Sequence, residues 1–280
     1  AAKNANLLDI QFIQSVGDGH VFFTPSCDST QSEIQRFIEH GAMGLSVYET
    51  PIALFTHFQS QGVGQRGNEW LSESAANLLM TVAFPLQKDR DYAFVEINKG
   101  LSVSIAKTLG EIIEQKVEIK WPNDIIYKHL KLGGILLETT QIGQVKYLLM
   151  GLGINVNQRR FPDHLLATSL WLAKQNRRRG EAVDLPANEG YRLEDLASSL
   201  FQRLLEAWKN PNEFAALYLD CLYRKGDCVS LTEVKTDSVF QAKVVDVNSV
   251  GQLVVQLESG EIVAFHHGDV RLLYQTTSKI

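Results

Sequence analysis

Apolar and polar positions alternate in two different ways along this chain, dividing it into a long mixed region and a short tail of strands. His20 to Phe23 reads as a strand, and after Thr24-Pro25-Ser26-Cys27 a helix follows Asp28-Ser29-Thr30. Its Ile34, Phe37 and Ile38 share one face, and Gly41 is the expected stop. Thr30 to Glu33 has the form of a capping box, so Ser29 and Thr30 taken alone are helix-capping residues. Ile52 to Phe58 and Asn77 to Phe84 read as strands. Phe94, Ile97, Leu101, Ile105 and Leu109 form one helical stripe ended by Gly110. Leu193, Leu196, Leu200, Leu204 and Trp208 form another, stopped by Asn210-Pro211-Asn212, and a shorter helix carries Phe214, Leu217, Tyr218 and Cys221. From about Arg224 the character changes. Val229 to Val234, Phe240 to Val247, Leu253 to Leu257, Ile262 to Phe265 and Val270 to Leu273 are closely spaced strands separated by turn residues, the pattern of a small barrel.

Between these regions lies the densest polar pattern, Lys120 to Glu138. Val117 to Lys120 leads into it as a strand, and Pro122 pushes Trp121 out of helical dihedrals, so Lys120-Trp121-Pro122-Asn123-Asp124 reads as a strand end and turn. Ile125-Ile126-Tyr127 is a strand, Lys128 to Lys131 a polar turn, and Ile135-Leu136-Leu137 the returning partner. Gly133 and Gly134 weaken a strand start, which is tolerable where another backbone or a ligand must come close. A lysine before such a pair can hold an ammonium over whatever the bare backbone touches. Gln144 to Met150 is a further strand, and Gly151-Leu-Gly-Ile-Asn155 after it, with two glycines allowing close approach and an amide at Asn155, taken alone reads as a tight turn with a bulge.

Composition narrows the class. The chain has 280 residues, 45% hydrophobic and 21% charged, enough for one large domain or a large and a small one. A net charge of −5 argues against a protein built mainly to grip nucleic acid. Three cysteines are too few and too odd in number for a disulfide framework, no apolar run reaches membrane-span length, and the N-terminus lacks a signal-peptide core, so the expected location is the cytoplasm. The literal G-x-G-x-x-G at Gly62 to Gly67 lacks the apolar helix that a dinucleotide site requires, and reads instead as a glycine-rich loop with Arg66 and a terminal Trp70. The arginine runs at 159–160 and 177–179 are read as solvated loops, and His266-His267 has no ligand partner at metal spacing.

Lys120-Trp121-Pro122-Asn123-Asp124 followed by Lys131-Leu-Gly-Gly-Ile-Leu-Leu-Glu138 resembles the signature of biotin protein ligases, and the likeness continues through Asp28-Ser29-Thr30, Gln59 to Trp70 and Gly151 to Asn155. The resemblance implies an α+β fold, a class II aminoacyl-tRNA synthetase/biotin ligase-like mixed sheet flanked by helices. It also implies a catalytic domain over 1–223 and an SH3-like barrel over 224–280. The implied activity is ATP-dependent conversion of biotin to biotinyl-5′-AMP, then transfer to a lysine of a biotin carboxyl carrier protein. It assigns Lys131 and Arg66 to catalysis. Ser29, Thr30, Gln59, Gly62, Gly133 and Gly134 fall to biotin, and Trp70, Lys120, Asn123, Asp124 and Asn155 to the nucleotide, with Asn155 also near Mg²⁺. Expected partners are the carrier, biotin and ATP, with no nucleic acid or membrane, in a monomer or homodimer. With fewer than about thirty residues before Asp28, no operator binding is expected. The loop departs from the family, with Val63 and Gln65 where guanidiniums are common. The alternatives are a non-catalytic biotin-sequestering homologue and a lipoate- or octanoate-handling enzyme on the same scaffold.

Overall fold

A computed structural model describes residues 9–41, 49–67, 70–88, 92–178 and 190–273, without the side chains of Arg66 and residues 176–178. Its centre is an eight-stranded mixed sheet. In chain order the strands are β1 (Gln11–Val16), β2 (Gly19–Thr24), β3 (Ile52–Thr56), β4 (Leu78–Leu86), β5 (Glu118–Lys120), β6 (Asp124–Tyr127), β7 (Leu130–Ile142) and β8 (Val145–Ile154), arranged β1-β2-β3-β4-β8-β7-β6-β5. Only β2 and β3 run parallel, His20 opposite Ile52 through Thr24 opposite Thr56. Helix α1 (Thr30–Glu39) lies between them in sequence. Because the pair is parallel, the segments leaving β2 and β3 emerge at the same end of the sheet. The Cys27 N–H donates to the Phe58 carbonyl at 3.1 Å, and the Ser60 N–H donates to the Cys27 carbonyl at 3.0 Å. Topology thus sets Ser29 and Thr30 beside Gln59.

The period of two sorts each strand's side chains between two cores. Ala53, Phe55, Met80, Val82, Leu148 and Met150 pack with helices α2 (Phe94–Ile113) and α4 (Leu193–Lys209). Ile52, Leu54, Tyr147 and Leu149 pack with Ile34, Phe37 and Ile38 of α1. Gly151 and Gly153 follow Tyr147 and Leu149 in that alternation, so the α1 face of β8 carries no side chain where it passes the start of α1. Full burial of a leucine-sized side chain is worth about 1.5–3 kcal/mol, so both faces of the sheet are strongly specified.

Several expectations change. Gly110 does not end α2; the helix runs to Ile113 and closes at Glu114, whose φ is 53°. The Gln115 N–H donates to the Gly110 carbonyl at 3.0 Å, and a Cβ on Gly110 would meet the Gln115 carbonyl oxygen at 2.9 Å. That glycine makes room for the cap. The capping box does not form, because Glu33 is drawn to Arg36 at 2.7 Å and Thr30 bonds elsewhere. The hairpin turn is tighter than expected. Lys128 and His129 both have positive φ, β7 already begins at Leu130, and the two glycines lie inside it beside a register shift at Ile125/Ile126. Gly151 to Ile154 is strand, not turn. Strand β1 and helix α3 (Leu170–Arg178) were not foreseen; α3 takes up residues 177 and 178 of the arginine run, and Arg179 lies outside the described residues.

Pro211 opens α5 (Pro211–Ala215) rather than a loop, and α6 (Tyr218–Cys221) follows. The tail is a five-stranded antiparallel sheet of β9 (Cys228–Glu233), β10 (Val239–Val247), β11 (Leu253–Leu257), β12 (Ile262–Phe265) and β13 (Val270–Leu272), ordered β12-β11-β10-β9-β13. It is tied to the central hairpin. The Trp121 indole N–H donates to the Gly251 carbonyl at 2.9 Å, and the Tyr223 N–H donates to the Ile119 carbonyl at 2.9 Å. Among the described residues no helix is long and apolar enough to cross a membrane.

Candidate active site

A cavity of about 60 Å³ opens at the end of the sheet where β2 and β3 finish, over the side-chain-free part of β7 and β8. Its floor follows the strand register: Gly134 pairs with Gly153, and Leu136 with Gly151. Above one end sits the N-terminus of α1 and above the other Lys131 with Trp70. Of the residues singled out from sequence, Ser29, Thr30, Gln59, Trp70, Asn123, Lys131 and Gly134 share this wall, together with Val63 and Gln65 of the loop. A cleft of about 430 Å³ adjoins it through Gln65, Asn123 and Ile135 and runs between Trp121 and the C-terminal sheet.

The α1 end is a polar relay. Gln59 Oε1 accepts from the Thr30 N–H at 2.7 Å and from the Thr30 hydroxyl at 3.0 Å, and that hydroxyl also lies 2.8 Å from the Thr81 hydroxyl. Two donors on one carbonyl turn the Gln59 amide nitrogen the other way, toward Gly62. Ser29 is held by its own N–H, which donates to Asp28 Oδ1 at 2.8 Å, and Arg36 grips that carboxylate at 2.5 Å. Burial raises the Asp28 pKa, but the hydrogen bonds from Arg36 and Ser29 outweigh it and hold the carboxyl below its ordinary value.

The other end is cationic. Lys131 Nζ lies 2.7 Å from Asp124 Oδ1 and 5.4 Å from the centre of the Trp70 ring, a cation–π distance. Its backbone is strapped on one side: the Lys131 N–H donates to the Leu166 carbonyl at 2.8 Å, and the Thr168 N–H donates to the Lys131 carbonyl at 2.9 Å. A Cβ on Gly134 would lie 3.6 Å from Lys131 Nζ, so the glycine brings the ammonium down to the backbone. Lys120 is buried behind this pair. Burial lowers its pKa to about 8, the Asp124 charge opposing and the Lys131 charge assisting. Asn123 stitches the hairpin, its side-chain amide donating to the Ile135 carbonyl at 2.7 Å.

Trp70 closes the middle. A Cβ on Gly153 would meet the indole at 2.4 Å, and one on Gly134 would meet it at 3.3 Å, so the ring lies on bare backbone. Its N–H is buried and has no hydrogen-bond partner among the described residues. Five of the described sequence candidates stand apart from the cavity wall. Gly133 faces Ile154 and the Gly153 carbonyl, Gly62 backs the loop against Gln59 and Trp70, Lys120 is behind Lys131, and Asn155 is a brace. The Asn155 amide donates to the Thr168 carbonyl at 3.0 Å and the Lys131 carbonyl at 3.4 Å. Asp124 reaches the site through its ion pair with Lys131. The Arg66 side chain lies outside the described residues; its backbone is in a 3₁₀ turn, Gln65–Gly67. Sequence reasoning missed Gln31 and Leu136 as wall residues; Gly151 and Gly153 were read as allowing close approach, but in a turn, and their alternation with Tyr147 and Leu149 appears only once β8 is known to continue.

The architecture is that of biotin protein ligases. The biotin protein ligase of Aquifex aeolicus in complex with biotin and ATP aligns with TM-score 0.69 and 23% identity, covering 91% of this chain and 99% of that one. The Leishmania major enzyme in complex with biotinyl-5-AMP aligns with TM-score 0.58 and 19% identity over 88% and 98%. In sequence, residues 24–155 match the model of the Biotin/lipoate A/B protein ligase family. Among curated relatives, the bifunctional ligase/repressor BirA of Salmonella typhimurium is 30% identical over 218 residues, 74% of this chain and 64% of that protein. The human biotin–protein ligase is 27% identical over 233 residues, 81% of this chain and 31% of that protein. The chain thus spans from about a third to just under two thirds of the length of these two relatives.

Proposed function

We propose that this protein is an ATP-dependent biotin protein ligase: it converts biotin to biotinyl-5′-AMP and passes the biotinyl group to a lysine of a biotin carboxyl carrier protein. The observation that carries this reading is one cavity with a lysine at one end of a glycine floor and a hydroxyl–amide relay at the other. A carboxylate is a poor acyl donor because oxide is a poor leaving group. Attack of the biotin carboxylate oxygen on the α-phosphorus of ATP forms the mixed anhydride and expels pyrophosphate. Attack of the carrier's neutral amine on the acyl carbon then forms the amide, expels AMP and releases the amine's proton. Both transition states gather negative charge around the α-phosphate, so fixed cations and donors matter more than an acid–base pair.

Lys131 supplies the cation next to bare backbone, and Asp124 holds it in place until a more negative group arrives. Arg66 is the second cation by its match to the family loop. Gly134 lets the acyl phosphate lie against main chain beside the Lys131 ammonium, Gly153 seats the Trp70 ring that covers the junction, and Ser29 and Gln59 read the ureido ring. Asn155 and Asn123 brace the strands that carry Lys131. Lys120 contributes charge from behind, and Gly62 and Gly133 permit the close packing of loop and strand. Among the described residues no group of three or more His, Cys, Asp or Glu forms a metal cluster. Magnesium is often held by one or two carboxylates plus phosphate oxygens, and Asp124 would be the carboxylate; Asn155, placed near Mg²⁺ by the family match, spends its amide N–H groups on the Thr168 and Lys131 carbonyls. Bound there with ATP, it would neutralise phosphate charge.

The catalytic unit is assigned to residues 1–223 and the C-terminal unit to 224–280, in a cytoplasmic monomer or homodimer. Biotin, ATP and a biotin carboxyl carrier domain test the reading. Label on the carrier lysine is the expected result. Biotin binding with neither pyrophosphate release nor label would replace it by sequestration, and label from lipoate alone by the other family activity.

A further inference from the structure

At the α1 end of the cavity, three polar atoms keep hydrogen-bonding capacity that the described residues do not use. They are the Ser29 hydroxyl, the Gln59 amide nitrogen and the side-chain carbonyl oxygen of Gln31. The first two are donors to a ligand. The third is different, because its orientation is imposed. Gln31 is buried, and its amide nitrogen donates to Glu138 Oε2 at 3.0 Å. An ionised carboxylate only accepts, so the NH₂ of Gln31 must face Glu138 and the carbonyl must face the cavity. That oxygen lies 3.0 Å from where a Cβ on Gly151 would be, above the floor formed by Gly151 and Leu136. Gln31 therefore presents a fixed acceptor two residues along the strand from Gly134 and the Lys131 ammonium, about 7 Å away.

We propose that Gln31, set by Glu138, is a specificity-determining residue that accepts a hydrogen bond from a ureido N–H of the substrate. It thereby selects biotin-type acids over fatty-acyl and dithiolane acids. The inference rests on the ligase reading above. A ureido group offers one acceptor to Ser29 and Gln59 and two N–H donors, one for Gln31. An octanoyl or lipoyl end has no N–H and would leave the three polar groups buried without partners, and a site built for donors rejects a substrate that lacks them strongly. Gln31 touches the ring end and takes no part in the acyl chemistry at Lys131.

The test compares the affinities of biotin, desthiobiotin and octanoate for the intact protein and two variants, by calorimetry, with the thermal midpoint of each. Gln31→Met keeps the side chain's length and removes donor and acceptor. It should weaken biotin and desthiobiotin by about 10-fold, the scale of one neutral hydrogen bond, and leave octanoate unchanged or tighter. Glu138→Gln, at an exposed position, lets the Gln31 amide turn over and should cause a smaller loss in the same direction. If Gln31→Met does not fold, this second variant carries the test. Unchanged biotin affinity, or an equal loss for biotin and octanoate, overturns the role of Gln31. Failure of the unmodified protein to bind biotin overturns the ligase reading itself.

Discussion

Gly153→Ala puts one methyl group where the structure has a tryptophan ring. The new Cβ would lie 2.4 Å from Trp70 Cε2, 2.6 Å from Cζ2 and 2.9 Å from Cδ2. Ordinary contact begins near 3.4 Å, so the worst overlap is 1.0 Å, against a rigid ring and not the end of a flexible chain. The ring has little room to retreat, because it also lies over Gly134, where an added Cβ would meet it at 3.3 Å, and the Trp70 backbone N–H is tied to the Gly62 carbonyl at 3.0 Å. Gly153 is strand outside the left-handed region, so alanine adds no backbone strain and the effect is steric alone. Overpacking of this kind costs about 1–3 kcal/mol, including about 0.5–1 kcal/mol for the lost Lys131 cation–π contact. In a Trp70→Ala background the methyl meets space, and the same substitution should cost less than about 0.5 kcal/mol. Equilibrium urea unfolding of the four proteins measures the coupling, expected at about 1–3 kcal/mol. Additive losses would show that the indole does not lie on Gly153, and the closed arrangement of the site would have to be abandoned.

Other outcomes follow from the same geometry. Lys131→Ala should slow pyrophosphate release by about 10²- to 10³-fold, the loss of one preorganised stabiliser, and near-normal release would remove Lys131 from that role. Burial puts the folded-state pKa of Lys120 at about 8, below its ordinary 10.5, so the unfolded chain holds more protons between those values. The unfolding free energy of the wild type relative to Lys120→Met should therefore rise with pH from about 8 toward 10.5; a flat difference would contradict a buried amine there. Burial, with the nearby Glu33 and Asp28 charges, pushes the Cys27 thiol up to about 12, and Cys221 is raised and buried, whereas Cys228 is exposed. A thiol reagent at pH 8 should modify Cys228 quickly and the other two only on unfolding; rapid loss of all three would refute this packing.

The helical stripes at Phe94 to Leu109 and Leu193 to Trp208, and the switch to closely spaced strands after Arg224, were legible because periodicity records burial directly. The α1 stripe of Ile34, Phe37 and Ile38 likewise proved to be core. Boundaries failed where a local signal had a competing partner. Thr30 reads as a capping residue until Gln59, 29 positions away, takes both its N–H and its hydroxyl. Gly110 reads as a terminator until the Gln115 carbonyl is found against it. Lys131 and Gly134 could be picked out as candidates from their motif and lie on the cavity wall, but Gln31 could not, since its partner Glu138 is 107 residues away.

From the amino-acid order alone one learns which faces must be buried, which segments belong to the signature hairpin, and that a lysine adjoins two glycines without side chains to separate it from a ligand. Those are local properties, set by side-chain chemistry and backbone freedom over a few residues. The parallel β2–β3 pair, the continuation of β8 through its glycines and the direction in which the Gln31 and Glu138 side chains meet belong to the folded state only. They depend on which distant strand lies alongside, a choice made by packing two cores at once, and no short window of sequence contains both members of the pair.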